Sequence, residues 1–385
     1  DPVMDRVRSE AERCDCLGAL HVVHSVAGGT GSGLGCAITA EIADGLGGKS
    51  LVWNTCVSPF EGGEVIVQDY NAALTLAALQ GVSDGVLVVE NEEAERACKG
   101  LMKIDRPKIS DLNTVIADSL SSFMSPSYVT LDDALAGARD GGLSELLRHM
   151  VPSPSRKIMG VSMVPIMPTA SLEFTRDTWE SGIVKRLRQM HRCGAGLECD
   201  VDWRAKEDVH RVVSNLLVLR GDGGLPRDRE EARRRVGILD LGGGGEDRVV
   251  DGNDLPAPPP RRGLGTTPPP KAASSGKAPP TSDVWKVDCC EFLSADYVPW
   301  NPEPFAVRRS HQNFKRLEKM GTLLSNSDKC LKILERVTEN AKSKFEARAY
   351  VHQFEAFGVG VPEFEEAFLT MDDVRVKYQQ LDQRV

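Results

Sequence analysis

Aromatic side chains are scarce in this chain: they make up 5% of its 385 residues, whereas all apolar residues together make up 41%. Aliphatic packing must therefore fill the core, and the length suggests two or three domains. Positive charge is outnumbered as well: 47 Lys and Arg stand against 56 Asp and Glu, which gives a formal net charge of -9. This balance argues against a general binder of nucleic acid or anionic membrane, since either function needs a basic face.

Long apolar runs and paired cysteines are missing as well. No apolar run approaches the roughly 20 residues that a membrane-spanning helix needs. The ten cysteines include no CxxC pair, so a zinc site or a thioredoxin-type redox pair has little support. Cys36, Cys56 and Cys98 lie in apolar surroundings. We therefore expect reduced thiols that pack in the core of a cytoplasmic protein.

Strand and helix patterns alternate through the first part of the chain. Apolar runs predict buried strands at residues 19–26, 50–57 and 85–90, and a helical pattern follows each of them. Such alternation is typical of an α/β fold with a parallel, doubly wound sheet. A long helix at 110–124 is apolar on most sides, which predicts a buried linking helix with Ser110 as its N-cap.

The second part of the chain has a different organisation. Strands are predicted at 159–166 and 214–221, and helices around 179–192 and within 327–354. The residues at about 242–282 include nine of the 22 prolines and a run of four glycines, so we expect a disordered surface insertion there. The last helix carries an apolar stripe that predicts core contacts, namely Phe364, Phe368, Met371, Val374, Tyr378 and Leu381.

The most informative string is HSVAGGTGSGLG at residues 24–35, between a predicted strand and a predicted helix. Backbone amides and the helix dipole can hold phosphate at such a junction. A Walker loop is excluded, because Leu34 and Gly35 stand where Lys and Ser or Thr are needed, and a GxGxxG fingerprint fails at Leu34 too. The alternative is a glycine-rich turn without a ligand, and the position between strand and helix favours phosphate.

GGTGSG at this kind of junction is the signature of the tubulin superfamily, and the chain resembles that family along nearly its whole length outside the proline-rich insertion. Three details resemble the delta-tubulin branch most: Ala27 in place of a third glycine, the string GEVIVQDYN, and AYVHQF near the end. Further matching strings follow in tubulin order, namely EGGEVIVQDYN (61–71), VENEEAERAC (89–98), RPKISDLNTVI (106–116), LRHMVPSP (147–154) and FEARAYVHQFEAFG (345–358).

The resemblance implies a fold and a biological setting. It implies a partial Rossmann-like GTPase domain at 1–124, an α/β intermediate domain at 125–326 that carries the insertion, and C-terminal helices at 327–385. Because the chain does not begin with Met and lacks the family's first phosphate loop, we expect an N-terminally truncated fragment. The family's members are cytoskeletal, and this branch implies work with other tubulins and centriolar proteins at centrioles, basal bodies and cilia.

The resemblance also implies a site for GTP or GDP, with Mg²⁺ as a further candidate. Glu64 matches a ribose-contacting residue, and Asn91 and Asn113 match two asparagines that read the guanine edge, for which an amide offers both a donor and an acceptor. Taken alone, Asn91 would be a helix N-cap and Asn113 a surface residue. The positions that match phosphate-binding residues are Ser25, Ala27, Gly28, Gly29, Thr30, Gly31, Ser32 and Gly33.

Several positions depart from the family pattern. Ile109 replaces the ring that stacks on guanine in many tubulins, and Gln68 replaces a glutamate of the ribose loop. In the GxxNxD loop that completes hydrolysis on a neighbouring subunit, Asp140 replaces the Asn and Gly142 stands where the acid belongs. Glycine cannot activate water, so we expect no catalytic residue here and weak or absent hydrolysis. A nucleotide-independent scaffold with a decayed site is the alternative function.

An unrelated Rossmann-type enzyme is the third function considered. It would need a catalytic constellation of His, Cys or metal ligands, and the sequence offers none. His24 and His149 lie nearest to the motifs, and both are predicted to be structural residues.

Overall fold

A computed structural model describes residues 2–15, 17–45, 50–63, 65–125, 142–174, 177–201, 210–221 and 295–382. The predicted insertion at 242–282, Glu64 and Asp140 lie outside these ranges. The described residues belong to one unit, which is made of residues 1–224 and 283–385. The predicted domain boundaries at 124 and 326 stay predictions.

Helices and strands alternate in the first part of the chain, as the sequence predicts. A short π-helical turn at Thr30–Leu34 leads directly into the second helix. The elements in chain order are α1 (Pro2–Glu12), β1 (Ala19–Ser25), α2 (Gly35–Gly45), β2 (Leu51–Ser58), α3 (Gln68–Val82), β3 (Gly85–Glu90), α4 (Asn91–Gly100) and α5 (Ile109–Met124).

The second part of the chain adds five strands and five regular helices within the described ranges. A second π-helical turn, Trp179–Val184, leads directly into the helix that begins at Lys185. The elements are α6 (Gly142–Met150), β4 (Ile158–Val164), α7 (Lys185–Arg192), β5 (Arg211–Gly221), β6 (Asp296–Tyr297), β7 (Phe305–Ser310), β8 (Lys319–Ser327), α8 (Cys330–Glu346), α9 (Val351–Glu355) and α10 (Val361–Gln379).

One sheet connects all eight of these strands in the order β1-β2-β3-β4-β8-β5-β6, and β7 pairs with β5. Strands β1 to β4 are parallel. Strand β8 is antiparallel to both β4 and β5. The parallel half and its intervening helices confirm the predicted α/β class.

The largest core cluster joins α3, α8 and α10. Every member of the apolar stripe predicted for the last helix is buried in this cluster. Tyr70 of α3 packs edge-on against Phe364 of α10, with ring centroids 5.0 Å apart. These helices therefore form one packed layer, which confirms the core prediction for α10.

Two sequence predictions need correction. Ser110 is not the N-cap of α5: the helix begins at Ile109, and Lys108 occupies the cap position. The Asp111 carboxylate accepts a hydrogen bond from the Lys108 amide at 2.8 Å, so an acid inside the first turn satisfies the group before the helix. The second correction is an addition: strands β6 to β8 have no counterpart among the predicted elements, because charged and small polar residues interrupt their apolar pattern.

Buried basic side chains bond to the carboxyl ends of three helices. Lys157 donates to the carbonyl oxygens of Gln80 and Ser83 at the end of α3, at 2.8 and 2.5 Å. Arg156 does the same at the end of α10, and Arg220 at the end of α5. A cation stabilises the carbonyl end of a helix through both hydrogen bonds and the helix dipole. These contacts attach α5 to β5, and α3 and α10 to the two residues that precede β4.

The cysteines of the described ranges are free thiols. Cys56 and Cys98 are buried and Cys36 is partly buried, in agreement with the predicted packing role. Burial raises the pKa of the Cys56 thiol far above its ordinary value. Within the described ranges, no helix combines the length and the apolar character that a membrane span requires.

Candidate nucleotide site

The candidate site lies at the edge where the parallel strands end. Ser25, the last residue of β1, is in register with Val57, and Ser58 of β2 is in register with Glu90, the last residue of β3. The glycine loop, residues 27–33, follows β1, and Asn91 follows β3. Because neighbouring strands are about 4.8 Å apart and β2 lies between these two, β1 and β3 are separated by about 10 Å. The carboxyl edge of a parallel sheet is where ligands bind in open α/β folds.

The glycine loop passes from the end of β1 into a helix. The backbone is already helical at Gly29, with φ -58° and ψ -37°, and the π-helical turn and α2 follow without a break. The first amides of a helix have no acceptor within the helix, and they carry the positive end of its dipole. The loop therefore presents backbone N–H groups at the edge of the sheet, as a phosphate site requires.

The glycines of this loop fall into two groups. A Cβ atom on Gly31 would lie 2.1 Å from the carbonyl oxygen of Ser25, and one on Gly35 would lie 2.9 Å from Nδ1 of His24. A Cβ atom on Gly28, Gly29 or Gly33 would meet no atom of the described residues within 4 Å. The first group allows the helix to pack against β1, and the second leaves open space beside the backbone.

Hydrogen bonds of three side chains fix the shape of the loop. Ser25 Oγ accepts a bond from the Ala27 amide at 3.2 Å. Ser32 Oγ donates to the Gly28 carbonyl at 2.7 Å, so its hydroxyl is used inside the loop. Asn71 Nδ2, on α3, donates to the Ala27 carbonyl at 2.9 Å. The protein's own side chains therefore hold the loop in this shape.

The sequence motifs do not single out Asn71. Its only signal is a polar residue within the apolar pattern of α3, and a polar side chain in such a place needs a partner. The amide is buried, with 8% of the residue exposed. It joins α3 to the glycine loop, so the packing of α3 supports the site.

Two histidines near the motifs have structural contacts. His24 Nε2 lies 3.2 Å from Nδ2 of Asn54 beneath the loop, and burial lowers the pKa of His24. His149 Nε2 lies 3.0 Å from the carbonyl oxygen of Asn215. These contacts support the predicted structural role of both residues.

The two predicted guanine-reading asparagines lie on neighbouring helices. Asn91 is the first residue of α4, and Glu90 occupies the N-cap position, so the N-cap alternative for Asn91 does not hold. Asn113 is exposed on α5, which packs against α4 through a shared apolar cluster. Ile109, the predicted cover for the base, is 60% exposed at the start of α5. Asn91 is partly exposed, and Asn113 and Ile109 are exposed.

Gln68, which stands where the family's ribose-binding loop has a glutamate, departs further from the family pattern than its residue type alone indicates. Gln68 is only 3% exposed, and its Nε2 donates to the carbonyl oxygen of Phe60 at 2.9 Å. Its amide is therefore bonded inside the protein. Glu64 lies outside the described residues, so its ribose contact stays a prediction.

Gly142, which stands at the position of the acid in the family's hydrolysis loop, is exposed at the start of α6. Its φ is +57°, a conformation that favours glycine.

No cluster of three or more His, Cys, Asp or Glu side chains suited to a metal ion occurs within the described ranges. A Mg²⁺ ion at the site would depend largely on phosphate oxygens and water, as Mg²⁺ commonly does in nucleotide sites. Its presence stays a prediction.

Comparison with known proteins defines the class. Residues 1–99 match the GTPase domain of the Tubulin/FtsZ family. The tubulin delta chain of Macaca fascicularis is 32% identical over 382 residues, which cover 98% of this chain and 74% of that protein. The tubulin delta chain of Mus musculus is 29% identical over 398 residues, with 99% and 74% covered. The tubulin beta chain of Cicer arietinum is 24% identical over 380 residues, with 99% and 69% covered.

The chain therefore belongs to the tubulin superfamily, whose GTPase domain implies guanine-nucleotide binding. Within the superfamily it groups with the tubulin delta chains, as the strings around Ala27, GEVIVQDYN and AYVHQF predict.

Proposed function

We propose that this chain holds GTP or GDP at the glycine loop and works as a structural subunit together with other tubulins. Its likeness to tubulin delta chains supports a cytoskeletal role, and we place that role in the cytoplasm at centrioles, basal bodies and forming cilia, with centriolar proteins as further partners. The observation that carries the nucleotide proposal is the open glycine loop at the carboxyl edge of the parallel strands.

The phosphates fit the open side of this loop. Gly28, Gly29 and Gly33 leave space beside the backbone, and Thr30 is exposed beside them. Ser25 and Ala27 shape the loop through their own hydrogen bond. Gly31 and Ser32 support it from inside, where Ser32 is 6% exposed and bonded to the loop's own carbonyls. Backbone amides therefore carry most of the proposed phosphate contact.

In this proposal, partly or fully exposed residues at the neighbouring helices α4 and α5 contact the base. Asn91 and Asn113 supply amide donors and acceptors for the guanine edge, and Glu64 would contact the ribose. Ile109 is exposed and can cover one face of the base. An aliphatic cover lacks the stacking energy of a ring, which is worth about 1 kcal/mol. We therefore expect guanine nucleotide to be held with lower affinity than in a site with an aromatic cover.

Assembly with other subunits is supported by exposed apolar side chains. Ile66 is 61% exposed just before α3, and Phe357 is 89% exposed after α9. Helix α9 packs on α3, because the rings of Phe354 and Tyr70 lie 5.6 Å apart. We propose that both side chains belong to a surface that contacts another subunit, since contiguous exposed apolar patches mark such surfaces.

A nucleotide-independent scaffold is the second candidate function. It is favoured by Gln68, whose amide is bonded to Phe60 and faces away from solvent. Such a scaffold would keep the tubulin fold and the assembly surface without binding nucleotide. The two functions differ in one measurable property, which is a preference for guanine over adenine.

Guanine selectivity tests the proposed site. In full-length purified protein, we expect GDP to bind at least about tenfold more tightly than ADP, since each base-edge hydrogen bond contributes about 1 kcal/mol. The change Asn91→Ala should remove most of this preference. Asn340→Ala, on the exposed face of α8, is the matched control and should leave it unchanged. Equal affinity for GDP and ADP in a fluorescence titration would favour the scaffold.

Hydrolysis is expected to be weak or absent. Gly142 offers no side chain to orient water on a neighbouring subunit's nucleotide, and its positive φ makes it a strained position for any other residue. We predict that co-assembled protein releases phosphate at the background rate of its partner. Steady release that Asp140→Ala abolishes would contradict this prediction.

A further inference from the structure

Helix α8 contacts two segments of the candidate site through one arginine. Arg336 Nη1 lies 2.6 Å from Oε1 of Glu61, which belongs to the loop between β2 and α3. Its Nη2 lies 2.8 Å from Oε2 of Glu90, at the end of β3. Nη1 is also 3.7 Å from Oε2 of Glu92, in the first turn of α4. One guanidinium therefore joins three carboxylates from two parts of the site.

These carboxylates surround the guanine-reading position. Glu90 and Glu92 are the immediate neighbours of Asn91 in the chain. Glu92 Oε1 also accepts a hydrogen bond from the backbone amide of Glu61 at 3.1 Å. The Arg336 side chain is 21% exposed, so solvent screens the network only in part. A planar guanidinium holds carboxylates in fixed directions, which an ammonium group cannot do.

A second basic residue of α8 holds the other end of the same loop. Lys344 Nζ donates to the carbonyl oxygen of Ile66 at 2.9 Å and pairs with Asp69 in the first turn of α3. Arg336 and Lys344 are eight residues apart, which corresponds to about 12 Å along a helix. Residues 61–69 include the predicted ribose contact, and α8 thus holds this segment near both of its ends.

We infer that Arg336 is a positioning residue of the nucleotide site, which fixes the loop at 61–69 and Asn91 relative to each other. The inference rests on the proposed function. Without the guanidinium, Glu61, Glu90 and Glu92 are three neighbouring carboxylates that repel one another. The loop and the first turn of α4 then separate, and the amide of Asn91 leaves the position that reads the base.

The test compares Arg336→Met with Arg375→Met in full-length protein. Arg375 is a matched control, because its side chain is also 21% exposed and pairs with Asp372 at 3.3 Å and Glu335 at 3.7 Å, away from the loop. Affinity is measured for GDP and for inosine diphosphate, which lacks the exocyclic amino group. For Arg336→Met we expect GDP affinity to fall about tenfold or more and the GDP-to-IDP preference to fall severalfold.

Lys344→Met separates the two ends of the loop. Because Lys344 contacts Ile66 and Asp69 but neither neighbour of Asn91, this change should weaken GDP binding while the GDP-to-IDP preference stays constant. Arg336→Lys should give an intermediate preference, since an ammonium group can keep one ion pair. Melting temperatures of the nucleotide-free variants show whether a loss of affinity follows a general loss of stability.

Each outcome decides the inference. A drop in base preference that is confined to Arg336 variants supports it. Unchanged binding in Arg336→Met, with selective binding by the unmodified protein, overturns the inference alone. Equal losses in Arg336→Met and Arg375→Met, in step with their melting temperatures, also overturn it. Absence of guanine-nucleotide binding by the unmodified protein overturns the proposed function and the inference together.

Discussion

Replacing Lys157 by methionine is expected to lower the free energy of unfolding by about 3 kcal/mol. Lys157 is 6% exposed, and its ammonium group donates to the carbonyl oxygens of Gln80 and Ser83 at the end of α3. Methionine fills nearly the same space, so the change leaves little cavity. It leaves buried carbonyl oxygens without this donor and removes a positive charge from a helix C-terminus.

Urea unfolding of the variant and of the unmodified protein measures this effect. Lys99→Met is the control, because Lys99 forms a surface ion pair with Glu95 at 2.7 Å and its side chain is 50% exposed. An exposed i,i+4 pair contributes about 0.5 kcal/mol or less. If Lys157→Met unfolds at the same urea concentration as the control, the proposed capping of α3 by Lys157 is wrong.

The second large effect is expected at Gly31. A Cβ atom there would lie 2.1 Å from the backbone oxygen of Ser25, far inside van der Waals contact, and no side-chain rotation can relieve the clash. The change Gly31→Ala should therefore cost about 3 kcal/mol or more of stability and remove nucleotide binding, because the helix start must move away from β1.

Gly29→Ala distinguishes loss of fold from loss of ligand. The backbone at Gly29 is helical, and the added Cβ would meet no described atom within 4 Å, so stability should be unchanged or slightly raised. Nucleotide affinity should still fall at least about tenfold, since the methyl group occupies the proposed phosphate space. Gly81→Ala, on the exposed side of α3, is the control and should leave nucleotide binding intact. Equal nucleotide affinity in Gly29→Ala and Gly81→Ala would contradict the assignment of the open glycines.

Local patterns predicted the parallel half of the fold well. The apolar runs of β1, β2 and β3 and the helical stripe of α10 are signals with a short period, so each one is readable within a single element. The glycine loop is equally local: its residues, its strand and its helix are contiguous in the chain. This is why the family, the fold class and the position of the loop could be inferred from the sequence.

Contacts between distant parts of the chain could not be predicted in this way. Arg336 is separated from Glu61 by 275 residues and from Glu90 by 246. Lys157 is separated from Gln80 by 77. No periodicity connects such positions, and a single sequence offers only their charges. The sequence likewise does not show which glycines of the loop pack against β1 and which face open space.

The nucleotide carried by full-length protein as purified tests the central claim most directly. After denaturation, ion-exchange chromatography of the released small molecules should show GDP or GTP, approaching one per chain and clearly reduced in Gly29→Ala. Protein that is folded by its melting transition, yet releases no guanine nucleotide and binds none when GDP is added, would contradict the claim that the open glycine loop is a nucleotide site.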